Sequence, residues 1–271
     1  MISALRYRIA IRWLPALLIA ALAATLITVA TPDRALAVSA SELELAMTKL
    51  VNESRVGAGL KALRTDGDLA AIAGLRATRM RDANVMNHTI AGSLKSQIDA
   101  YDVDWYAFGE NVAFTEWPWG TKAVGNIHSM WMASSGHRAL ILSSKFNYVG
   151  VGLAYRSSNG RTFAAMVFSE SPDHTTARAR ISSVSRSGDD VIWTWSGYDP
   201  ILQSHHAGLR DFDVQYRINT GAWTTLRDNT TSRSLTLTDR VSQRTYGLRV
   251  RATDRRGNVG PWTGESKIWV P

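Results

Sequence analysis

A chain of 271 residues, 45% hydrophobic and 20% charged, has the composition of a globular protein with room for one large domain or two ordinary ones. It contains no cysteine, which excludes disulfides, thiolate metal ligands and a cysteine nucleophile, so any metal centre must use His and carboxylate. The formal charge of +8 lies on dispersed Lys and Arg without clusters, which argues against a nucleic-acid partner.

Residues 1–37 read as an export signal. Arg6, Arg8 and Arg12 precede the apolar run Trp13 to Ala30, and Ala35-Leu36-Ala37 offers a small-x-small cleavage site. The expected product is secreted and extracellular, begins at Val38 and carries a formal charge of +5 after loss of four Arg and one Asp. Retention of the 18-residue apolar run as an uncleaved membrane anchor is the alternative.

Two amphipathic helices follow. Ser41 to Glu44 reads as a capping box, with Leu43, Met47, Leu50 and Val51 at helical spacing until Gly57 and Gly59. After Asp66-Gly67-Asp68, one face carries Leu69, Ile72, Ala73, Arg76, Ala77 and Met80, and the helix ends near Asn84. His88 then sits in a polar turn, and a polar linker containing Tyr101, Trp105 and Tyr106 leads to Phe108-Gly109-Glu110-Asn111-Val112. Glu110 and Asn111, set between apolar neighbours, are costly to bury unless both are hydrogen-bonded.

Trp117-Pro118-Trp119-Gly120 breaks the chain before a third helix with Val124, Ile127, His128 and Trp131 on one face. Ser134 or Ser135 can cap a short helix holding His137, and the positive end of that helix favours a neutral imidazole, fit to ligate metal or accept a proton. Tyr148 to Tyr155 and Thr162 to Phe168 alternate as two strands around an Asn-Gly turn, an antiparallel hairpin. The order predicts an α+β domain.

Helical periodicity stops at Ser171-Pro172-Asp173. Beyond it, Val191/Trp193/Trp195, Phe212/Val214/Tyr216/Ile218, Leu235/Leu237 and Tyr246/Leu248/Val250/Ala252 read as short strands of a β-sandwich, with Tyr246 placed as a tyrosine corner. His205-His206 falls in a loop and reads as surface, with adventitious metal binding as its one functional alternative. The expected division is a signal over 1–37, an α+β domain over 38–172 and an all-β domain over 173–271.

His88, Gly109-Glu110-Asn111, Trp131-x-x-Ser134-x-Gly136-His137-Arg138 and Val149-Gly150-Val151-Gly152, with Asn52-x-x-Arg55 before them, resemble the bacterial branch of the CAP superfamily, also called SCP or pathogenesis-related-1-like domains. The resemblance spans about residues 43–170. It implies an α-β-α sandwich whose cleft is lined by His88, Glu110 and His137, flanked by Asn111 and Ser134. Eukaryotic members carry a second glutamate soon after the tryptophan, where this chain has Ser134. Residues 178–271 resemble a fibronectin type III domain, a module that serves as a spacer or as an adhesion surface for an extracellular polymer.

Three functions compete on these residues. The first is a binding protein holding a small molecule, lipid, peptide or divalent metal in the cleft, with Zn²⁺ on His88, His137 and Glu110 as the metal form. A hydrolase using the same zinc to activate water is the second; no His-Glu-x-x-His or nucleophile-elbow segment supports it. In the third, the polar cluster only ties the helices to the sheet.

Overall fold

Ser39 accepts from the Glu42 amide, and the Glu42 carboxylate returns to the Ser39 amide (2.8 Å), so the capping box that starts α1 (Ala40–Gly57) lies two residues before the expected one. Ser41-x-x-Glu44 has the same spacing, but Glu44 instead accepts from the Leu153 amide. The computed structural model describes residues 38–271, which form one compact unit. The signal assigned to residues 1–37 lies outside the described residues. No helix among the described residues is long and apolar enough to cross a membrane.

Strand β1 (Arg64–Thr65) precedes α2 (Gly67–Ala83), which is capped by Asp66 and closed by Asn84 at φ 53°. The segment read as a polar linker contains α3 (Leu94–Ala100), a helix of only seven residues; its short apolar pattern is weak, and Ser93 marks its start. Then come β2 (Ala107–Thr115), α4 (Thr121–Ala133), α5 (Ser135–Ile141), β3 (Tyr148–Arg156) and β4 (Arg161–Glu170). The sheet order is β1-β3-β4-β2, antiparallel except for the parallel β1-β3 pair, which leaves β2 at an edge.

Strand alternation sends the two faces of β3 into different cores. Val149, Val151 and Leu153 join Leu43 and Met47 of α1 and Val124 and Trp131 of α4, while Tyr148 and Ala154 join Leu69, Ile72 and Ala77 of α2. This is an α-β-α sandwich. The glycines of Val149-Gly150-Val151-Gly152 let α2 approach: a Cβ on Gly150 would stand 2.0 Å from the Leu69 carbonyl carbon, and one on Gly152 2.2 Å from that of Ala73.

The remainder is all-β. Strands β5 (Arg178–Ser187), β6 (Asp190–Tyr198) and β9 (Ser234–Leu237) form one sheet, in the order β5-β6-β9. The other is β11 (Ser266–Val270), β10 (Arg244–Asp254), β7 (Leu209–Ile218) and β8 (Thr224–Thr230), in that order. Trp193, Trp195, Phe212, Val214, Leu248 and Val250 fill the space between them, giving a three-on-four sandwich of the fibronectin type III kind. The Tyr246 hydroxyl donates to the Val241 carbonyl (3.2 Å), the tyrosine-corner bond that its position predicts.

The β6–β7 loop crosses back onto the sandwich of helices and sheet. Leu202 is buried in the α2-side core, Asn147 Nδ2 donates to the carbonyls of Ser171 (2.7 Å) and Ser204 (3.1 Å), and His205 stacks on Tyr106 at 4.3 Å. A chain cut after residue 172 is therefore expected to fold but to unfold more easily than the longer protein, by about 3–5 kcal/mol for the lost leucine burial and hydrogen bonds. Leu202→Ala in the full chain should reproduce most of that loss in urea titrations; equal midpoints for all three proteins would show the seam to be energetically idle.

Candidate functional site

Arg55, fully buried on α1, fixes the short helix that carries His137. Its Nη1 donates to the carbonyls of Ile141 and Ser143 (2.8 Å each), its Nε to Lys61 (2.9 Å) and its Nη2 to Phe146 (3.3 Å). The Ile141, Ser143 and Phe146 carbonyls lie at and just beyond the C-terminus of α5, where a cation is favoured. Burial alone pulls the guanidinium down to about 10. Leu140 of α5 closes over β2 at Gly109, where a Cβ would meet it at 3.0 Å. Asn52, the other residue of the Asn52-x-x-Arg55 pattern, clamps the Leu63 peptide through both N–H and C=O.

Arg76 on α2 organises the opposite wall. Its guanidinium donates to both carboxylate oxygens of Glu110, to the carbonyls of His88 and Gly92, and to Gln97 Oε1 (2.6 Å). Glu110 Oε2 also meets His88 Nδ1 at 2.8 Å. Arg76 and Glu110 are buried to 1% and 5% side-chain exposure, whereas His88 is 58% exposed, so the chain of contacts leads from a closed ion pair to an open imidazole. The sequence expectation that Glu110 needs a partner is met by a residue that the sequence reading placed only on a helix face. The available signal was an arginine within an apolar stripe, since a buried cation demands a counter-charge.

Asn111 faces the other side of the sheet, where Nδ2 donates to the His137 carbonyl (3.1 Å) and Oδ1 is buried without a partner. Ser134 is the N-cap of α5, but its side chain makes no capping bond. The His137 imidazole is held below the ordinary histidine range first by burial and second by the neighbouring charge of His88. Both causes act apart from the helix dipole invoked from the sequence. A groove of about 330 Å³ opens along edge strand β2, lined by Met86, Val112, Phe114, Met130, Ser134 and His137, with Trp131 at its floor. Trp131 Nε1 donates to the Val112 carbonyl, which holds the indole against the edge.

His128, hydrogen-bonded to Ser54 Oγ at 3.0 Å, is likewise pulled below its ordinary 6.5, chiefly by burial. An unfolded histidine then takes up a proton before the folded one, so this stability contribution is complete above pH 6.5 and fades as pH falls through the lowered folded value. His174 runs the other way: burial opposes its protonation, but the hydrogen bond and charge of Asp66 raise it. The His128→Gln protein is expected to lose less stability than the parent between pH 7.5 and 5.5 in urea titrations; parallel losses would remove His128 from the pH response.

A second cluster lies where the β6–β7 loop meets the 171–177 segment. Asp173, Asp199 and His206 bring potential ligand atoms within 4.8 Å of one another. Burial pushes the Asp199 carboxyl up, with added repulsion from Asp173 and Asp254. His205 and His206 lie exposed in the β6–β7 loop, as the sequence reading placed them; His205 also meets Glu170 (2.9 Å), and His206 faces two buried carboxylates. Nothing in the local sequence signals this, because the three residues come from separate segments.

The fold and the groove define an α-β-α domain with an apolar groove along an edge strand beside His137, followed by a β-sandwich. Residues 48–168 match the model of the CAP family, the Cysteine-rich secretory protein family. Over 116 residues the chain is 32% identical to the uncharacterized protein YkwD of Bacillus subtilis (strain 168), an alignment covering 42% of this chain and 43% of that protein. Among solved structures, an extracellular SCP-domain protein from Bacillus anthracis is similar at 24% identity and TM-score 0.41, covering 48% of this chain and 40% of that one. An Fn3-like protein from Clostridium thermocellum is similar at 20% identity and TM-score 0.27, covering 36% and 96%. The chain spans less than half the length of the curated relatives it matches.

Proposed function

We propose that this is a secreted binding protein whose CAP domain holds an apolar or amphipathic ligand, a lipid or an apolar peptide, in the groove along β2, with the ligand's polar end toward His88 and His137. The observation that carries the reading is the groove lining: Met86 and Met130 are exposed, flexible thioethers beside Phe114 and Val112, and Ser134 and His137 supply the polar groups. The β-sandwich then acts as a spacer or contacts an extracellular polymer.

The metal form of the proposal is a weaker site than a full donor set. Both oxygens of Glu110 are engaged by Arg76, so Glu110 stands behind His88 as an orienting carboxylate, and Zn²⁺ would rest on the open nitrogens of His88 and His137. Bound there, zinc would supply Lewis-acid activation of water, the basis of the hydrolase alternative. The direct test is binding of a fluorescent fatty-acid probe to the purified protein, with native mass spectrometry of co-purified ligand. Met130→Arg should weaken probe uptake at least about tenfold while leaving the melting temperature in place. Uptake that survives Met130→Arg would overturn the groove reading, and ester or peptide turnover abolished by His137→Ala would replace it with the hydrolase.

A further inference from the structure

The seam beneath the β6–β7 loop holds more negative charge than the protein neutralises. Asp173 and Asp254 are buried and fully hydrogen-bonded: Asp173 Oδ1 accepts from Thr175 N and Oγ1 and from the Tyr148 hydroxyl, Asp173 Oδ2 from Ala207 N, and Asp254 from Arg256 N, Asn258 N and Asn258 Nδ2. Asp199 differs. Its side chain is 1% exposed, Oδ2 accepts from Gly208 N (2.8 Å), and Oδ1 is buried without a partner. Among the described residues, no Lys or Arg lies within ion-pair distance of any of the three carboxylates, and the one cationic candidate is His206, whose Nδ1 is 3.3 Å from Asp199 and 3.8 Å from Asp173. A buried carboxylate oxygen with no donor, beside a second carboxylate, is a costly arrangement unless a cation shares it.

We propose that Asp173, Asp199 and His206 bind one divalent transition cation of the Zn²⁺ or Mn²⁺ class, which pins the 171–177 segment to the 199–208 loop and so fixes the β-sandwich against the CAP domain. The three ligand atoms already converge within 4.8 Å, and the backbone amides of Ala207 and Gly208 and the Thr175 hydroxyl hold both carboxylates in orientation. One imidazole with two carboxylates suits these ions better than Ca²⁺, which takes six to eight oxygens. His206 is the open edge of the cluster, which gives the ion an entry path. The site shares no residue with the groove, so it stands or falls separately from the ligand-binding proposal.

Chelator-stripped protein, titrated calorimetrically with Zn²⁺, Mn²⁺ and Ca²⁺ in turn and melted with and without each ion, tests the site. One Zn²⁺ or Mn²⁺ per chain is expected, with a higher melting temperature in its presence. His88→Ala/His137→Ala should retain that binding and the melting shift, whereas Asp199→Asn and His206→Gln should each weaken it at least about tenfold. His206→Gln, on an exposed residue, keeps the test valid if Asp199→Asn folds poorly. Absence of binding below millimolar ion, Ca²⁺ preferred over both transition ions, or binding lost only in the His88/His137 variant would each overturn the proposal.

Discussion

Gly150→Ala is expected to destabilise the protein by at least about 3–5 kcal/mol, a large part of the stability of an ordinary domain. The added methyl would stand 2.0 Å from the Leu69 carbonyl carbon and 2.3 Å from its oxygen, and neither is the end of a flexible side chain. Relief requires α2 to lift from β3, which opens the core where Leu69, Ile72 and Ala77 meet Tyr148 and Ala165. The same lift would draw Arg76 away from Glu110. Gly74→Ala is the control: it lies on the same helix, a Cβ there meets nothing within 4 Å, and alanine in a helix interior should stabilise by roughly 0.5–1 kcal/mol. Urea unfolding of the two variants should therefore move in opposite directions. A Gly150→Ala midpoint equal to the parent's would mean that the helix does not seat on the strand as described.

That contrast shows what could be read from the chain and what could not. Periodicity located α1, α2, α4 and the β3-β4 hairpin because each carries several apolar residues on one face, and Ser39, Asp66 and Asn84 punctuate their ends. It missed α3, whose seven residues bury only Gln97 and Ile98, and β5, whose strand is mostly exposed and alternates weakly. The candidate residues could be picked out one by one: His88, Glu110 and His137 stand in a polar turn, beside a glycine and behind a capping serine that give them context. Their couplings were not. Arg76 is 34 residues from Glu110 and Arg55 is 86 from Ile141, and no local pattern encodes contacts across such separations. The linkage of Asp173, Asp199 and His206 was hidden for the same reason, compounded by the loop position of His206.

Removing one member of the Arg76–Glu110 pair should cost about 3–5 kcal/mol, because either residue alone is a buried charge without its counter-charge. Arg76→Met and Glu110→Gln are expected to differ in a second readout. Arg76 also holds the carbonyls of His88 and Gly92 and the Gln97 side chain, so Arg76→Met should release the 88–97 segment and speed its amide hydrogen exchange. Glu110→Gln leaves those three bonds in place, so it should destabilise the fold with much less exchange at 88–97, while loosening His88 through loss of the 2.8 Å contact to its Nδ1. Combined in one chain, the two substitutions should cost less than their sum, since the orphaned charge is gone and the coupling of a contacting pair runs to about 0.5–3 kcal/mol. Arg79→Met, three residues on and exposed, sets the baseline for losing an arginine from α2. Were Arg76→Met no more disruptive than Arg79→Met, the ion pair would be a passenger, and the position of His88 would have to be held from elsewhere.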